Sequence, residues 1–372
     1  MSIELTNKRK ERLLEACHEA LTSNVIHIRV LARLIGLMVS SFVAIPYGKL
    51  FYRELDKIKS EALHLCYNWE QTVELNKECF KEINWWIDNV NTVTPIRQGN
   101  PNLIITSDAS TTGYGAVCGN KTANGIWSDE EKLNHINVLE LKGAFFALKM
   151  FASEEFNKHI LLRLDNTTAV NVINNLGTCK APHIQKLCKK LFTWAIHRKL
   201  WITATYIPSK SNEADAPSRL KVSESEWQLN PLIFSEICNK FDFQPEIDLM
   251  ATRINTQLKK FVSFKNDPDA FFIDAFHIDW NHYAFYVFPP YNLVLQTLNK
   301  IINDKAEGLI VIPRWKSQPF YSLAMRIRIG SPLIFFHREG LLTLPGDPDR
   351  KPKIKTHLMI LHVSGANLKN QD

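Results

Sequence analysis

Four acidic residues stand where strands and helices in the middle of this chain are expected to begin or end. Asp108 closes an apolar run that starts at Leu103, and Glu140 lies near the start of a helix. Asp165 follows a second apolar run, and Asp215 lies early in a turn or helix. Two carboxylates about 4 Å apart repel by about 4 kcal/mol at an effective dielectric constant of about 20. Gathering all four would therefore require bound cations or raised pKa values, and it indicates a metal site.

Each acid taken alone also has a structural interpretation. Asp108 could accept hydrogen bonds within a turn, and Glu140 could sit favourably near a helix N-terminus. Asp165 could cap the helix that follows it, and Asp215 could be a solvated loop residue. For a single residue each of these readings is at least as good as a catalytic one. Only their combination favours metal binding.

The elements that must position these acids alternate between strands and helices over residues 100–221. The pattern predicts strands from Leu103 to Cys118 with a break before Gly113, a short strand at 125–127, and a helix that opens at 137 with Glu140 in its first turn. A strand at 160–165, a helix capped at 166, a helix at 183–197 and a strand at 201–207 follow. We therefore predict one α/β domain over 100–221.

The flanking regions have different patterns, so the chain is predicted to be a multi-domain α/β protein. Residues 1–99 are expected to be wholly helical, because Leu31, Leu34, Ile35 and Met38 share one helical face. Arg97 to Pro101 is polar and turn-rich, as expected of a linker. Residues 222–372 alternate strands with helices, which predicts a doubly wound sheet.

Composition limits the classes of protein that fit. The chain has 372 residues, 45% of them hydrophobic and 22% charged, which is typical of a globular protein of two or three domains. It contains no apolar run long enough to cross a bilayer and no signal-peptide pattern, so an intracellular location is expected. Its seven cysteines form no Cys-x-x-Cys pair, and its net charge of +7 mildly favours a polyanionic partner.

Four motifs in the middle domain carry a resemblance to a known family. In order they are T-S-D-A-S with G-Y-G, then N-V-L-E-L, L-R-L-D-N and Y-I-P-S-K-S-N-E-A-D-A-P-S-R. Together they resemble the ribonuclease H domain of retrotransposon polyproteins. The resemblance implies that Asp108, Glu140, Asp165 and Asp215 hold two Mg²⁺ ions, with Mn²⁺ as a substitute, and hydrolyse RNA in RNA/DNA hybrids. The loop 207–214 lacks the histidine that cellular members of the family place there.

Further residues are predicted to contact the nucleic acid. We assign Ser110, Asn166 and Asn212, which stand beside the acids, to substrate binding. Lys186, Lys189 and Lys190 fall on one helical face and could follow phosphates, although a merely solvated face explains them equally well. The expected partner is an RNA/DNA hybrid or another nucleic acid, and a separately encoded reverse transcriptase portion is a candidate partner. No membrane partner is expected.

The flanking regions extend the resemblance to DIRS-type retrotransposons, the tyrosine-recombinase class. Residues 25–97 resemble the helical connection between reverse transcriptase and ribonuclease H in these elements. Residues 222–372 resemble their DNA adenine methyltransferase-like domain, through I-D-L-M-A around Asp248 and F-P-P-Y, which is Phe288, Pro289, Pro290 and Tyr291. Active amino-methyltransferases carry Asp or Asn where Phe288 stands, and phenylalanine has no hydrogen-bond acceptor. Binding of S-adenosylmethionine and methyl transfer are therefore disfavoured.

Three functions remain in order of preference. The first is a retroelement-derived ribonuclease H that works through two metal ions, favoured because all four ligand positions hold carboxylates. The second is a nucleic-acid-binding protein that has kept the fold without catalysis. The third, a DNA adenine methyltransferase, is opposed by Phe288.

Overall fold

The structure of the chain is a computed structural model that describes residues 1–96, 99–178, 181–219, 226–345 and 356–367. Contacts divide the chain into two compact units, Met1–Ile105 with Glu154–Pro208 and Thr106–Ser153 with Ser209–Asp372. The predicted boundary at residues 221 and 222 and the linker residues Arg97 and Gln98 lie outside the described residues. None of the helices in the described ranges combines the length and apolarity needed to cross a membrane.

Four helices make up most of the N-terminal region. They are α1 (Asn7–Leu21), α2 (Ile28–Ser40), α3 (Arg53–Cys66) and α4 (Lys77–Asn89). Leu31, Leu34, Ile35 and Met38 are all buried, which confirms the predicted face of α2. Trp86 of α4 is fully buried, and its indole Nε1 donates to Phe51 O at 2.8 Å. The tryptophan therefore serves the core.

The expectation that residues 1–99 are wholly helical is wrong at two places. Two short antiparallel pairs join distant parts of this region: β1 (Ser2–Ile3) with β4 (Thr94–Pro95), and β2 (Val25–His27) with β3 (Thr72–Glu74). Strands of two or three residues are too short to show a period of two in the sequence. They form here because a distant segment supplies their backbone hydrogen bonds.

A five-stranded sheet follows, in the order β7–β6–β5–β8–β9. Its strands are β5 (Leu103–Ala109), β6 (Gly113–Cys118), β7 (Lys121–Ile126), β8 (His159–Leu164) and β9 (Trp201–Tyr206). The first three form an antiparallel meander, and β8 and β9 are parallel. This agrees with the predicted strands to within a few residues, and the sheet is a mixed one.

Five helices accompany these strands. They are α5 (Asp129–Lys132), α6 (Ile136–Ala152), α7 (Thr167–Asn174), α8 (Pro182–His197) and α9 (Asp215–Ser218). Helix α6 begins at Ile136, after an N-cap at His135. Glu140 therefore lies in the second turn, and its predicted place in the first turn is wrong by one residue.

The remaining chain forms a seven-stranded sheet in the order β13–β12–β11–β14–β15–β18–β16. Its elements, with the pair β10 and β17 beside it, are β10 (Gln228–Leu229), α10 (Pro231–Phe241), β11 (Ile247–Asp248), β12 (Lys260–Ser263), β13 (Phe272–Ile273), β14 (Phe285–Val287), α11 (Val294–Asp304), β15 (Glu307–Pro313), α12 (Pro319–Ile327), β16 (Arg328–Phe335), β17 (Leu342–Thr343) and β18 (Leu358–Ser364). The strands β13, β12, β11, β14 and β15, which are neighbours in this order, are parallel to one another. Strand β18 runs antiparallel to both of its neighbours, β15 and β16.

Both faces of this sheet are covered. Along β15, Ile310 and Ile312 belong to one buried cluster together with residues of α11 and α12. Leu309 and Val311 belong to a second cluster that contains residues of α10. Because successive side chains of a strand point to opposite faces, the helices lie on the two sides of one sheet. This is the layering expected of a doubly wound domain.

Candidate active site

Three of the four predicted acids come together in the structure. One carboxylate oxygen each from Asp108, Glu140 and Asp165 lies within 4.8 Å of the other two. Asp108 and Glu140 are buried, at 4% and 7% exposure, and Asp165 is half-buried. An all-oxygen donor set of this kind suits Mg²⁺, and a divalent cation would offset the mutual repulsion of the three carboxylates. The residues present therefore fit the metal that the sequence indicates.

Asp108 is held in place by a buried amide. Asn212 is 7% exposed, and its Nδ2 donates to Asp108 Oδ1 at 3.1 Å and to Ser107 O at 3.4 Å. The Oδ1 of Asn212 accepts a hydrogen bond from Ala214 N at 3.0 Å. Asn212 therefore connects Asp108 to the segment that carries Asp215, and its contacts fit a positioning role better than the predicted contact with substrate.

A glycine allows that segment to lie against the strand pair that carries Asp108. Gly115 of β6 is the cross-strand partner of Asp108. A Cβ atom at Gly115 would lie only 2.5 Å from Ala214 O and from Ser218 N. Nearby, Ser110 Oγ donates to Ser218 O at 2.8 Å. The absence of a side chain at Gly115 thus sets how closely α9, which begins with Asp215, can approach.

On the ribonuclease H activity that the sequence resemblance implies, we expect Gly115→Ala to displace α9 and to reduce cleavage of an RNA/DNA hybrid by at least about tenfold, because misplacing Asp215, a ligand predicted from the sequence, by even about 1 Å can cost about 100-fold in rate. The measurement is the cleavage rate at saturating Mg²⁺. Gly36→Ala is the matched control, since nothing lies within 4 Å of its added Cβ atom in α2. Equal cleavage rates for Gly115→Ala and Gly36→Ala would refute the inference that Gly115 sets the position of α9.

The fourth predicted acid, Asp215, does not belong to the group of three. It is the first residue of α9, and its Oδ1 accepts from Arg219 Nε at 3.0 Å and from Arg219 Nη2 at 2.7 Å. This ion pair is exposed, so its contribution to stability is small and it can be exchanged at low cost. The role of Asp215 as a metal ligand stays a prediction.

Two other residues assigned to substrate binding make local backbone contacts. Asn166 is the N-cap of α7, and its Oδ1 accepts from Ala169 N at 2.9 Å. Ser110 Oγ accepts from Gly113 N at 3.0 Å within the turn between β5 and β6. The cap at Asn166 was expected from the sequence. Both contacts explain these residue types without a substrate, so their assignment to binding stays a prediction.

The three lysines of α8 do not share one environment. Lys186 and Lys190 are exposed. Lys189 is half-buried, with Nζ 3.7 Å from Glu82 Oε1 and 4.7 Å from the ring centroid of Phe51. The contacts of Lys189 fit a structural role, whereas Lys186 and Lys190 remain available to phosphates.

Glu82 is an unexpected buried acid in the N-terminal region. It is 3% exposed, and its Oε2 accepts from the backbone nitrogens of Glu54 and Leu55 at 3.1 and 3.3 Å, in the first turn of α3. Burial raises the pKa of Glu82 to about 7, although Lys189 and these hydrogen bonds oppose the rise. Folding therefore buries a carboxyl group that would otherwise ionise near its ordinary value of 4.5.

We expect Glu82→Gln to remove a pH dependence of stability. The pKa is higher in the folded than in the unfolded chain, so the folded state retains a proton between about pH 4.5 and pH 7 that the unfolded state releases. The free energy of unfolding of the parent protein should fall across that window, by up to about 3 kcal/mol, and the variant should lack this fall. Urea denaturation at several pH values measures it. Glu19→Gln, in an exposed pair with Arg33, is the control; if it flattens the profile equally, Glu82 is not the cause.

The predicted methyltransferase-like residues lie at the carboxyl ends of parallel strands. Asp248 ends β11; it is 2% exposed and its Oδ2 accepts from Gln257 N at 3.0 Å. Burial raises the pKa of Asp248 to about 7. Residues 249–259, which join β11 to β12, contain no helix. A strand–loop–helix unit for a dinucleotide-like cofactor is therefore missing at this place.

Most residues of the F-P-P-Y segment pack against other parts of the protein. Phe288 packs against the buried cluster beneath α10, and Pro289 is buried, whereas Pro290 is exposed. The ring of Tyr291 meets the ring of Trp315 edge-on at 5.1 Å. Burial raises the pKa of Tyr291. These contacts give structural reasons for both aromatic residues.

Sequence reasoning missed a buried cation that packs against α6. Arg253 has an 11% exposed side chain; it forms an ion pair with Glu131, and its guanidinium lies 4.8 Å from the ring centroid of Phe146. Its Nη1 also donates to Ile126 O at 3.1 Å. The capping box from Ser128 to Glu131 is readable as Ser-x-x-Glu. Nothing in the sequence indicates that residue 253 pairs with it.

Comparison with known proteins gives similarities of low overall score. No protein-family model and no curated protein matches the sequence. Among solved structures, the chain is similar to the N-terminal RNase H domain of Rv2228c from Mycobacterium tuberculosis, solved as a fusion with maltose binding protein (18% identity, 32% of this chain, 91% of that chain, TM-score 0.27). It is similar to LC11-RNase H1 in complex with RNA/DNA hybrid (20%, 31%, 93%, 0.27). It is also similar to the foamy viral protease-reverse transcriptase in complex with dsDNA (13%, 55%, 42%, 0.22).

Proposed function

We propose that this protein is a ribonuclease H that hydrolyses the RNA strand of RNA/DNA hybrids with Mg²⁺. The observation that carries the proposal is the group formed by Asp108, Glu140 and Asp165, whose oxygens lie within 4.8 Å of one another. These residues come from two strand ends and one helix, and two of the three are buried. Such a group is costly without a cation, so its presence favours a metal-dependent function over a purely structural one.

Each residue has a distinct part in the proposed reaction. Asp108, Glu140 and Asp165 would hold the metal, and Asp215 would join them by leaving Arg219. Asn212 keeps the carboxylate of Asp108 oriented through its hydrogen bond to Oδ1. A pair of bound metal ions, when present, supplies an activated water and stabilises the leaving oxygen of the phosphodiester.

We also propose the origin of the flanking regions. Residues 1–99 would be a remnant of a reverse transcriptase connection, and residues 222–372 a degenerate methyltransferase-like domain, both from a DIRS-type retrotransposon. The parallel strand order with its reversal between β11 and β14, and the helices on both faces of that sheet, support the second assignment. Phe288 and the lack of a helix after β11 support the loss of methyl transfer.

A cleavage assay tests the main proposal. We expect the full chain to cut the labelled RNA strand of an RNA/DNA hybrid in Mg²⁺ or Mn²⁺ and to stop when the metal is chelated. Duplex DNA and duplex RNA are the control substrates. Hybrid binding without cleavage in either metal would contradict the proposal and support the alternative, a nucleic-acid-binding protein without catalysis.

A further inference from the structure

A cavity of about 770 Å³ lies within the first compact unit, apart from the three acids. Its walls come from the segment between α2 and α3, the end of α4, and residues of α7, α8 and β9. Sites for small molecules usually have volumes of about 300–1,000 Å³. Nothing in the proposed ribonuclease function uses this space.

Most polar groups that line the cavity already have partners within the protein. Backbone and side-chain atoms satisfy the hydroxyl of Tyr47, the amides of Asn89 and Asn174, and the hydroxyl of Thr203, at distances of 2.8 to 3.3 Å. A ligand that filled the cavity would gain little from further hydrogen bonds to these groups. The interior therefore favours an apolar body.

Two tryptophans contribute planar aromatic rings to the lining of the cavity. Trp85 is stacked on Phe51, with centroids 4.2 Å apart and planes 7° apart. Trp201 is stacked on His159, with centroids 3.9 Å apart and planes 19° apart. Both indoles line the cavity, and each is fixed by the ring behind it. Rigid aromatic walls favour a planar aromatic ligand, because little side-chain entropy is lost when it binds.

Two cations also line the cavity. These are Lys49 and Lys199, and within the described part of the chain neither ammonium group has a carboxylate within ion-pair distance. The Lys199 Nζ lies 5.5 Å from the ring centroid of Phe156, which leaves its hydrogen-bond donors available. Two uncompensated positive charges beside an apolar space favour a negatively charged group. We propose that this cavity binds a planar aromatic anion, with the rings between the tryptophans and the anionic group near the two lysines.

Titration with anilinonaphthalene sulfonate, an aromatic anion that fluoresces in apolar sites, tests the proposal on the full chain. We expect saturable binding with one strong site. The neutral analogue N-phenylnaphthylamine should bind at least about tenfold more weakly, because a charge-assisted contact is worth about that factor. Competition by adenosine monophosphate would assign the site to nucleotides, whereas competition by naphthoate alone would assign it to aromatic acids.

Variants inside and outside the cavity test whether the ligand binds there, and their thermal midpoints show whether a loss of affinity reflects unfolding. The double variant Lys49→Met/Lys199→Met keeps the aliphatic stems and should weaken binding at least about tenfold. Ile196→Trp should fill the cavity from α8 and abolish the strong site. Lys8→Met, at an exposed position of α1 outside the cavity, should leave affinity unchanged. Thermal midpoints confirm that each variant folds.

Two results would overturn the proposal. One is unchanged affinity in the folded double lysine variant, and the other is equal affinity for the neutral analogue. Because no ribonuclease activity is measured, failure here leaves the proposed cleavage function intact, and loss of cleavage leaves this site intact.

Discussion

Asp108→Asn should abolish cleavage of RNA/DNA hybrids, by at least about 100-fold, while the protein stays folded. The substitution keeps the size of the side chain and removes one charge from the group of three acids. A bound metal ion contributes several kcal/mol to such a reaction, and each 1.36 kcal/mol is about tenfold in rate. The rate of cleavage at saturating Mg²⁺ is the measurement.

Asp108→Asn is expected not to destabilise the protein when no metal is bound, although it abolishes cleavage. Removing one carboxylate relieves repulsion, so the thermal midpoint in a chelator should stay level or rise. Added Mg²⁺ should raise the midpoint of the parent protein more than that of the variant, because ligands stabilise only states that bind them. Asp88→Asn, at an exposed site of α4, is the control and should cleave normally. Full activity in Asp108→Asn would refute the metal-site assignment.

Arg253→Met should give the largest loss of stability, about 3 kcal/mol. Methionine keeps the apolar contact with Phe146 but leaves the carboxylate of Glu131, 9% exposed, with Lys142 as its remaining cation. Breaking one partner of a buried pair costs about 3–5 kcal/mol, and Lys142 keeps the loss near the lower limit. Burial alone would raise the pKa of Glu131, and Arg253 and Lys142 hold it below its ordinary value. The parent protein should therefore lose this stability as pH falls, and urea denaturation measures both effects.

Two further variants distinguish a buried pair from a general surface effect. Arg253→Met/Glu131→Gln removes the uncompensated charge and should recover at least about half of the loss. Arg33→Met breaks a pair with Glu19 in which both side chains are exposed, at 57% and 47%, and should cost less than about 1 kcal/mol. If Arg253→Met costs no more than Arg33→Met, the buried pair has no special importance.

Local patterns allowed much of the fold to be predicted. The apolar face of α2, the strand pair around Asp108 and the helix cap at Asn166 all depend on neighbours within a few residues. The same reasoning placed Asp108, Glu140 and Asp165 at element ends that could converge, and the structure brings those three together. Periodicity and capping are visible in a single sequence because the physical causes are themselves local.

Contacts between distant residues could not be predicted in this way. The sequence places Lys189 on one helical face with Lys186 and Lys190. In the structure its ammonium group forms an ion pair with Glu82, which lies 107 positions earlier in the chain. The sequence assigns Asn212 to substrate binding, yet its side-chain amide donates to Asp108. The short strands β1 to β4 are equally invisible, because their pairing partners lie far along the chain. In each case tertiary packing, and not local propensity, decides the role of the residue.

The contact between Arg253 and Glu131 also constrains how the chain acquires its structure during synthesis. The two residues are 122 positions apart. At about 5–20 residues per second, a ribosome needs roughly 6 to 24 s to travel from one codon to the other. Throughout that interval Glu131 and the ring of Phe146 lack the guanidinium of Arg253, and Lys142 is the cation already beside both. The surroundings of the helix that carries Glu140 are therefore complete only late in translation, and a nascent chain stalled before residue 253 would lack the guanidinium that lies over the Phe146 ring.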